Sequence, residues 1–390
     1  MIKDLTQNTP IVTVAYNRPK SLLRLLGSLN NANYPNKDIP LIISIDQNDS
    51  NNEVLEVANN FKWAHGKKEV RYQEKNLGLK NHIIKCGKIS YEYGSVIILE
   101  DDLYVSKSFY YYTLEALKFT SNKSYVGGVS LYNHKLNQHI FSDFSCVEDE
   151  YDNWYFQYAA SWGQAWTSLQ FQGFLNWYDE NHTLGLKPFV PKSVLDWSDK
   201  SWLKFYITYL IENNKYFFYP KISHTTNFGD TGTHFDYPST TYQVPLSYSE
   251  IKTFTFSEIE KSKSVYDAFY ENIGLYTILN LKQDELCIDL YGHKPNYNQK
   301  KYYLTSKILD YKIVKSFARG LRPIEANIIE NIKGNELFLY DTTIELSNKS
   351  KKNKLSNLLY NYRAISYQSS IYLAIKLTKQ RILTFLSAKK

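Results

Sequence analysis

The stretch VIILEDDL, Val96–Leu103, joins four consecutive aliphatic residues to three consecutive carboxylates, Glu100-Asp101-Asp102. A short unbroken apolar run of this kind reads as a strand buried on both faces. Three carboxylates at its end repel one another unless positive charge lies among them. Two readings fit. A hard divalent cation with pyrophosphate oxygens in its shell would relieve the repulsion. Alternatively, the acids sit at the start of the helix predicted over Ser106–Phe119, where negative charge is favourable.

The same pattern repeats upstream. Ile11–Ala15 and Leu41–Ile45 are buried-strand runs, and Val70–Tyr72 is a shorter third strand. Between them, Pro19 opens a helix carrying Leu22, Leu23, Leu25, Leu26 and Leu29 at helical spacing, and further helices are predicted over Asn52–Phe61 and Leu79–Ile89. Strands alternating with helices predict an α/β fold with a parallel sheet and helices on both faces. Ligands of such sheets bind beyond the carboxyl ends of the strands. Those ends here carry Tyr16-Asn17-Arg18, then Asp46, then Lys75-Asn76, then Glu100-Asp101-Asp102. Neither G-x-G-x-x-G nor G-x-x-x-x-G-K-[ST] occurs, so the dinucleotide fingerprint and the P-loop are both missing.

Downstream, Glu148–Trp202 reads as loop-rich and holds six of the seven tryptophans. A helix is predicted over Phe205–Asn213 and a strand over Tyr216–Tyr219. The character changes after Ser249, where strand-like pieces at Leu286–Leu290 and Leu337–Tyr340 flank a predicted helix at Pro323–Ile332. The expected division is a catalytic domain over 1–248, an accessory α/β region over 249–345, and a basic helical tail over 346–390.

The net charge of +7 is uneven: ten basic residues lie between Lys349 and Lys390, and no acid follows Glu345. The first 348 residues carry 36 basic and 39 acidic groups. The folded body lacks the basic excess expected of a nucleic-acid-binding protein, so no nucleic-acid partner is expected. Three cysteines without metal-ligand spacing indicate neither a disulfide framework nor a zinc site. The N-terminus has no apolar signal region, and no run reaches the ~18 apolar residues of a membrane span. A cytoplasmic location is the expectation. The tail places Ala364, Tyr367, Ile371, Ile375, Ile382 and Leu386 on one helical face. It fits either an anionic membrane surface or a protein-packed helix with solvated lysines.

Four motifs in order, across residues 9–240, carry a family resemblance. TPIVTVAYNRPKSLLRLLGSL (Thr9–Leu29) with LIISID, then VIILEDDLYVSKSFYYY, then SWGQAW (Ser161–Trp166), then YPKISHTTNFGDTGTHF (Tyr219–Phe235), resemble GT-A glycosyltransferases. The pattern is similar to that of N-acetylglucosaminyltransferase I and of bacterial capsule-type, family 2-like enzymes. The resemblance implies a Rossmann-like nucleotide-diphospho-sugar fold and an inverting transfer from a UDP-sugar. The acceptor would be a hydroxyl of a lipid-linked or protein-linked glycan, in bacterial surface polysaccharide or glycoprotein glycan synthesis, with Mn2+ or Mg2+ as cofactor. IDLYG and LRPIE resemble segments of capsule and adhesin glycosyltransferases, with no chemistry assigned.

Residue by residue, the resemblance implies that Asp102 binds the metal, with Glu100 and Asp101 beside it toward the ribose. Asp46 would accept from uracil, Tyr16, Arg18 and Asn76 would line the nucleotide, and Lys80 would approach the phosphates. Gly232, Thr233 and His234 belong to a loop closing over the diphosphate; read without the resemblance, its glycines also fit an ordinary tight turn. The family's W-D-D-W base segment corresponds to DWSDKSW (Asp196–Trp202), which departs from it by inserted polar residues. Asp199 is the candidate base and Asp196 the reserve, while Asp199 also fits a helix N-cap. Two rivals remain. A sugar-nucleotidyltransferase needs a glycine-rich, arginine-bearing loop after its first strand, which Tyr16-Asn17-Arg18-Pro19 does not supply. A catalytically silent partner of another transferase would not need the carboxylates at 100–102 and 199.

Overall fold

The computed structural model describes residues 8–185, 187–230, 240–250, 253–295, 300–348, 359–361 and 366–387. Its first half runs β1 (Ile11–Ala15), α1 (Pro19–Asn30), β2 (Leu41–Ile45), α2 (Asn52–Asn60), β3 (Lys68–Tyr72), α3 (Gly78–Gly87), α4 (Ser90–Tyr93), β4 (Ser95–Glu100), β5 (Leu103–Val105) and α5 (Phe109–Thr120). There follow β6 (Val126–Ser130), β7 (Leu136–Asn137), β8 (Ser142–Asp143), β9 (Asn153–Phe156), β10 (Gln164–Thr167), α6 (Ser168–Glu180), α7 (Lys192–Leu195), α8 (Trp202–Glu212), β11 (Tyr216–Pro220), β12 (Thr225–Asn227) and β13 (Val265–Tyr266).

Nine strands form one sheet in the order β13-β9-β11-β6-β10-β4-β1-β2-β3. The parallel block β4-β1-β2-β3 is the one expected, with Val14 opposite Glu100 and Ala15 opposite Ile45. Because β1, β2 and most of β4 are buried on both faces, their sequences are continuous apolar runs rather than alternating ones. Leu22, Leu25, Leu26 and Leu29 of α1, with Val54 of α2 and Ala116 of α5, pack on one face. Ile83 of α3, Phe171 and Phe174 of α6, and Trp202 and Phe205 of α8 pack on the other. The fold is therefore α/β of the expected class.

Three differences lie beyond the first hundred residues. The region read as loop-rich contributes two sheet strands, β9 and β10, and the helix α6, which Thr167 and Gln170 start with a reciprocal capping box. Both strands are buried throughout, polar Asn153, Gln164 and Thr167 included, so no alternation of apolar and polar residues marks them. The helix after the carboxylates starts at Phe109 rather than Ser106, because Leu103–Val105 is drawn into antiparallel pairing with β12.

The third difference concerns the chain after residue 248. Val265 pairs with Tyr155 and adds a ninth strand, and Phe254 and Phe256 pack on the first core. The division expected at 249 thus falls within a segment that returns to the first sheet. A second sheet follows, built from β14 (Leu286–Asp289), β15 (Tyr302–Thr305), β16 (Tyr311–Phe317) and β17 (Leu337–Glu345) in the order β14-β15-β17-β16. The helix expected over Pro323–Ile332 is a single turn, α10 (Ala326–Ile329), after the short α9 (Leu275–Leu279). The Asn327 side chain ties Gly320, Leu321 and Ile324 into a loop instead. Glu325, buried in this unit, accepts a hydrogen bond from the Tyr266 hydroxyl of the first sheet. Among the described residues no helix is long and apolar enough to cross a membrane.

Candidate functional site

The carboxylates close β4. Arg18, in the turn between β1 and α1, donates from Nη2 to Asp101 and from Nη1 to Asp102 Oδ2 at 3.0 Å. One guanidinium therefore serves two of three adjacent acids. Asp102 Oδ1 and Glu100 Oε1 are both buried without a hydrogen-bond partner among the described residues. Burial, then Asp102 and Asp101, push Glu100 up to about 8. Burial also pushes Asp101 up to about 6, against the pull of Arg18. For Arg18, burial opposes the charge, but Asp101 and Asp102 outweigh it and raise its pKa. The turn is short of positive charge.

The strand after the acids carries the second motif to the first. Leu103, Tyr104 and Val105 pair with Asn227, Thr226 and Thr225, and the Phe228 N–H donates to the Asp102 carbonyl at 2.8 Å. The chain then turns at Gly229, whose φ of +73° suits glycine and whose N–H donates to Asn227 Oδ1 at 2.7 Å. Asp230 reaches back to α1. It accepts from Ser21 Oγ at 2.6 Å and from Arg24, whose guanidinium lies 3.6 Å over the Phe228 ring. One helix thus holds the acidic turn through Arg18 and the loop through Ser21 and Arg24. Gly232, Thr233 and His234 lie outside the described residues.

The third motif meets the same loop. Thr225 Oγ1 donates to the Trp162 carbonyl at 2.5 Å, and the Gly163 carbonyl accepts from the Leu131 N–H at 2.9 Å. Gly163 has φ +96°, and a Cβ there would stand 2.9 Å from Thr225 Cγ2. Trp162 is only partly buried and stacks on Tyr242 at 4.7 Å. Trp154, Tyr155, Tyr158 and Trp166 are core side chains.

Beyond β2 and β3, the Asp46 carboxylate accepts from the backbone N–H groups of Gln47, Leu77 and Gly78 at 3.0, 2.8 and 2.9 Å. It anchors the start of α3, so much of its acceptor capacity is engaged within the chain rather than held for a base. Asn76 Nδ2 donates to the Gln47 carbonyl at 2.7 Å and reaches the Tyr16 hydroxyl at 3.5 Å. Tyr16 itself is exposed at the rim.

Lys80, on the first turn of α3, points its ammonium 4.6 Å over the Phe205 ring of α8. Asp199 stands ahead of α8, fully exposed, and its Oδ1 accepts from Lys204 Nζ at 2.7 Å. Hydrogen bonding and charge from Lys204, with a smaller contribution from Lys80, lower the Asp199 pKa. Asp199 is not the N-cap; Ser201 is, accepting from the Lys204 N–H. Asp196 caps the C-terminus of α7 and is engaged by Lys192 at 2.5 and 2.7 Å.

Arg24, Ser21 and Asp230 match none of the sequence motifs for a nucleotide or metal site. Arg24 interrupts the leucine run of α1, a charge inside an otherwise apolar stripe, and that is the signal that could have found it.

The model of glycosyl transferase family 2 matches residues 11–178, from β1 into α6. The segment holds the acidic turn, Arg18, Asp46 and Gly163. Over that segment the chain is similar to family 2 glycosyltransferases. No curated protein sequence matches it. Among solved structures, the chain is similar to S. aureus TarS 1-349 in complex with UDP-GlcNAc. The identity is 13% over 58% of this chain and 60% of that one, with a TM-score of 0.35. It is also similar to the Pyrobaculum calidifontis mannosyltransferase PcManGT in complex with GDP-Man and Mn2+, with 13% identity, 42% and 46% coverage and a TM-score of 0.30. A Leptospira borgpetersenii cytidylyltransferase matches at 9% identity, 45% and 72% coverage and a TM-score of 0.29. The match to TarS spans about three-fifths of that chain's length.

Proposed function

We propose that the chain is an inverting, metal-dependent glycosyltransferase that moves a sugar from a UDP-sugar to an acceptor hydroxyl. The observation that carries this reading is the imbalance at the end of β4: three carboxylates, one guanidinium, and two buried carboxylate oxygens, Asp102 Oδ1 and Glu100 Oε1, with no partner. Buried acceptors of this kind are costly unless a ligand satisfies them. Hard oxygen donors at the mouth of a crevice suit Mn2+ or Mg2+, which take one or two carboxylates and complete their shell with phosphate oxygens and water. Among the described residues no three His, Cys, Asp or Glu side chains form a metal cage, so the remaining ligands would come from the donor. Asp102 would hold the ion, and Glu100 and Asp101 would support it. Bound there, the ion would neutralise charge developing on the departing diphosphate.

The chain's own residues supply the rest. Tyr16 and Asn76 form the nucleotide rim beyond β1 and β3, and Asp46 sets the position of the α3 N-terminus behind it. Arg18 contributes positive charge beside the diphosphate, with Lys80 farther out on α3. The loop through Gly229 and Asp230, fastened by Ser21 and Arg24, leads into Gly232, Thr233 and His234 and would exclude water above the reacting bond. Asp199, ahead of α8 and bonded to Lys204, would take the acceptor hydroxyl's proton. As the new C–O bond forms at the anomeric carbon, the bond to UDP breaks, so one displacement inverts the configuration. Asp196, held by Lys192, is the reserve base. Assignment to bacterial surface polysaccharide or glycoprotein glycan synthesis, with a lipid-linked or protein-linked acceptor, is supported by the sequence resemblance alone.

The test is a panel of UDP-sugars assayed for UDP release with Mn2+, Mg2+ or EDTA, with and without glycan acceptors. Metal-dependent release from at least one donor supports the reading. Release unaffected by EDTA across the panel refutes the metal, and no release from any UDP-sugar refutes the donor class.

A further inference from the structure

The helix Tyr367–Ser387 is 21 residues long. Ser366 caps it: its Oγ accepts from the Ser369 N–H at 3.1 Å and its carbonyl from the Ser370 N–H at 3.0 Å. Every side chain described in it, from Tyr367 to Lys379 with Arg381 and Ile382, is exposed. These include Tyr367, Ile371, Tyr372, Leu373, Ile375, Leu377 and Ile382, a density of bare apolar groups that a helix in water does not sustain by its own propensity.

The pattern narrows what covers it. Tyr367, Ile371, Ala374, Ile375 and Ile382 share one face at helical spacing. Lys379 and Arg381 flank that face on its two sides, where long basic side chains can lay their stems along an apolar surface and extend their charges past it. Lys376 lies opposite. No acidic residue follows Glu345, so nothing in this part of the chain repels anionic groups. Just upstream the tail is fastened to the second unit. The Tyr360 hydroxyl donates to the Leu321 carbonyl at 2.7 Å, and its ring lies under the guanidinium groups of Arg319 and Arg322, at 4.4 and 4.1 Å. Arg319 also donates to Asn361 Oδ1 at 2.9 Å. Tyr360 and Asn361 are thus fixed to the body.

We propose that this helix is a docking element for an anionic phospholipid surface, lying in the interface with its Tyr367–Ile371–Ile375–Ile382 face toward the acyl chains. Charge complementarity and an uncovered apolar face both favour such a surface, whatever reaction the site performs. A basic residue near an anionic bilayer strengthens partitioning about fivefold, so losing the two that flank the face lowers it about 25-fold.

The test uses the full chain and co-sedimentation with vesicles of phosphatidylcholine alone or mixed with phosphatidylglycerol. One variant carries Lys379→Ser and Arg381→Ser; a second carries Ile371→Ser, Ile375→Ser and Ile382→Ser. The expected result is salt-sensitive binding to the anionic vesicles only. It should fall about 25-fold in the charge variant and be lost in the apolar variant, while both keep the wild-type activity in solution. Equal partitioning onto neutral vesicles, or wild-type binding by the charge variant, would overturn the proposal. So would a wild-type dimer that the apolar variant dissolves while neither protein binds vesicles, since the helix would then face a second copy of the chain.

Discussion

Asp102→Asn separates the site's chemistry from its contribution to the fold. In the folded chain Asp102 gives Oδ2 to Arg18 at 3.0 Å and leaves Oδ1 buried and unpaired. The asparagine can still accept from Arg18, which also keeps Asp101. Removing one charge weakens that pair but relieves repulsion on Glu100 and Asp101, so the two effects offset to within about 1 kcal/mol. Turnover should respond very differently. A direct metal ligand supporting a departing diphosphate is worth several kcal/mol of barrier, and about 4 kcal/mol corresponds to about 10³-fold. A binding readout complements the rate. With Mn2+ and UDP at about 100 times their dissociation constant, wild type should gain about 2.7 kcal/mol of stability. The variant should gain under about 1 kcal/mol, measured by urea unfolding. A variant that turns over within tenfold of wild type, with both indifferent to EDTA, would refute the metal assignment.

Asp199→Ala should lower kcat by about 10²–10⁴-fold with little change in UDP affinity, since a base acts on the acceptor alone; equal weakening of UDP binding by calorimetry would shift the role to Asp196. Gly163→Ala places a Cβ 2.9 Å from Thr225 Cγ2 at a φ of +96°. It should cost about 1–3 kcal/mol in denaturant unfolding and raise the donor KM by disturbing β12, and wild-type values for both would refute that coupling. Burial raises Glu325 to about 7, so the folded chain keeps its proton while the unfolded chain loses it near 4.5. Stability should therefore fall as pH rises from about 4.5 to about 7, by up to about 3 kcal/mol, and Glu325→Gln should flatten that slope. Parallel pH–stability curves for the two proteins would show that Glu325 titrates normally.

What the sequence made legible follows burial. Strands covered on both faces write themselves as apolar runs, so β1, β2 and β4 stood out, and the groups at their ends followed from topology. β9 and β10 did not stand out, because Asn153–Phe156 and Gln164–Thr167 sit in an aromatic-rich stretch where packing, not period, decides the strand. The Asp46 contacts were also hidden. A carboxylate after a strand reads as a ligand group until the backbone amides of Leu77 and Gly78 are seen to converge on it. Asp230 is the clearest case of distance hiding function. Its partners Ser21 and Arg24 lie about 200 residues earlier in the chain, and no local pattern links them.

That long-range link bears on how the proposed site would work. The same helix, α1, holds Asp230 through Ser21 and Arg24 and opens just after Arg18, which holds Asp101 and Asp102. A donor that brings its own cation would reduce the demand on Arg18 at Asp102, leaving the guanidinium available to the diphosphate. The loop need not follow, because its attachment runs through Arg24 and the Phe228 N–H to the Asp102 carbonyl, neither of which depends on the Asp102 side-chain charge. The site is thus divided into a frame set by backbone pairing and α1, and a charge deficit that a bound donor would fill. In such a site, losing the deficit should remove the chemistry and spare the frame, whereas losing the frame at Gly163 should impair both.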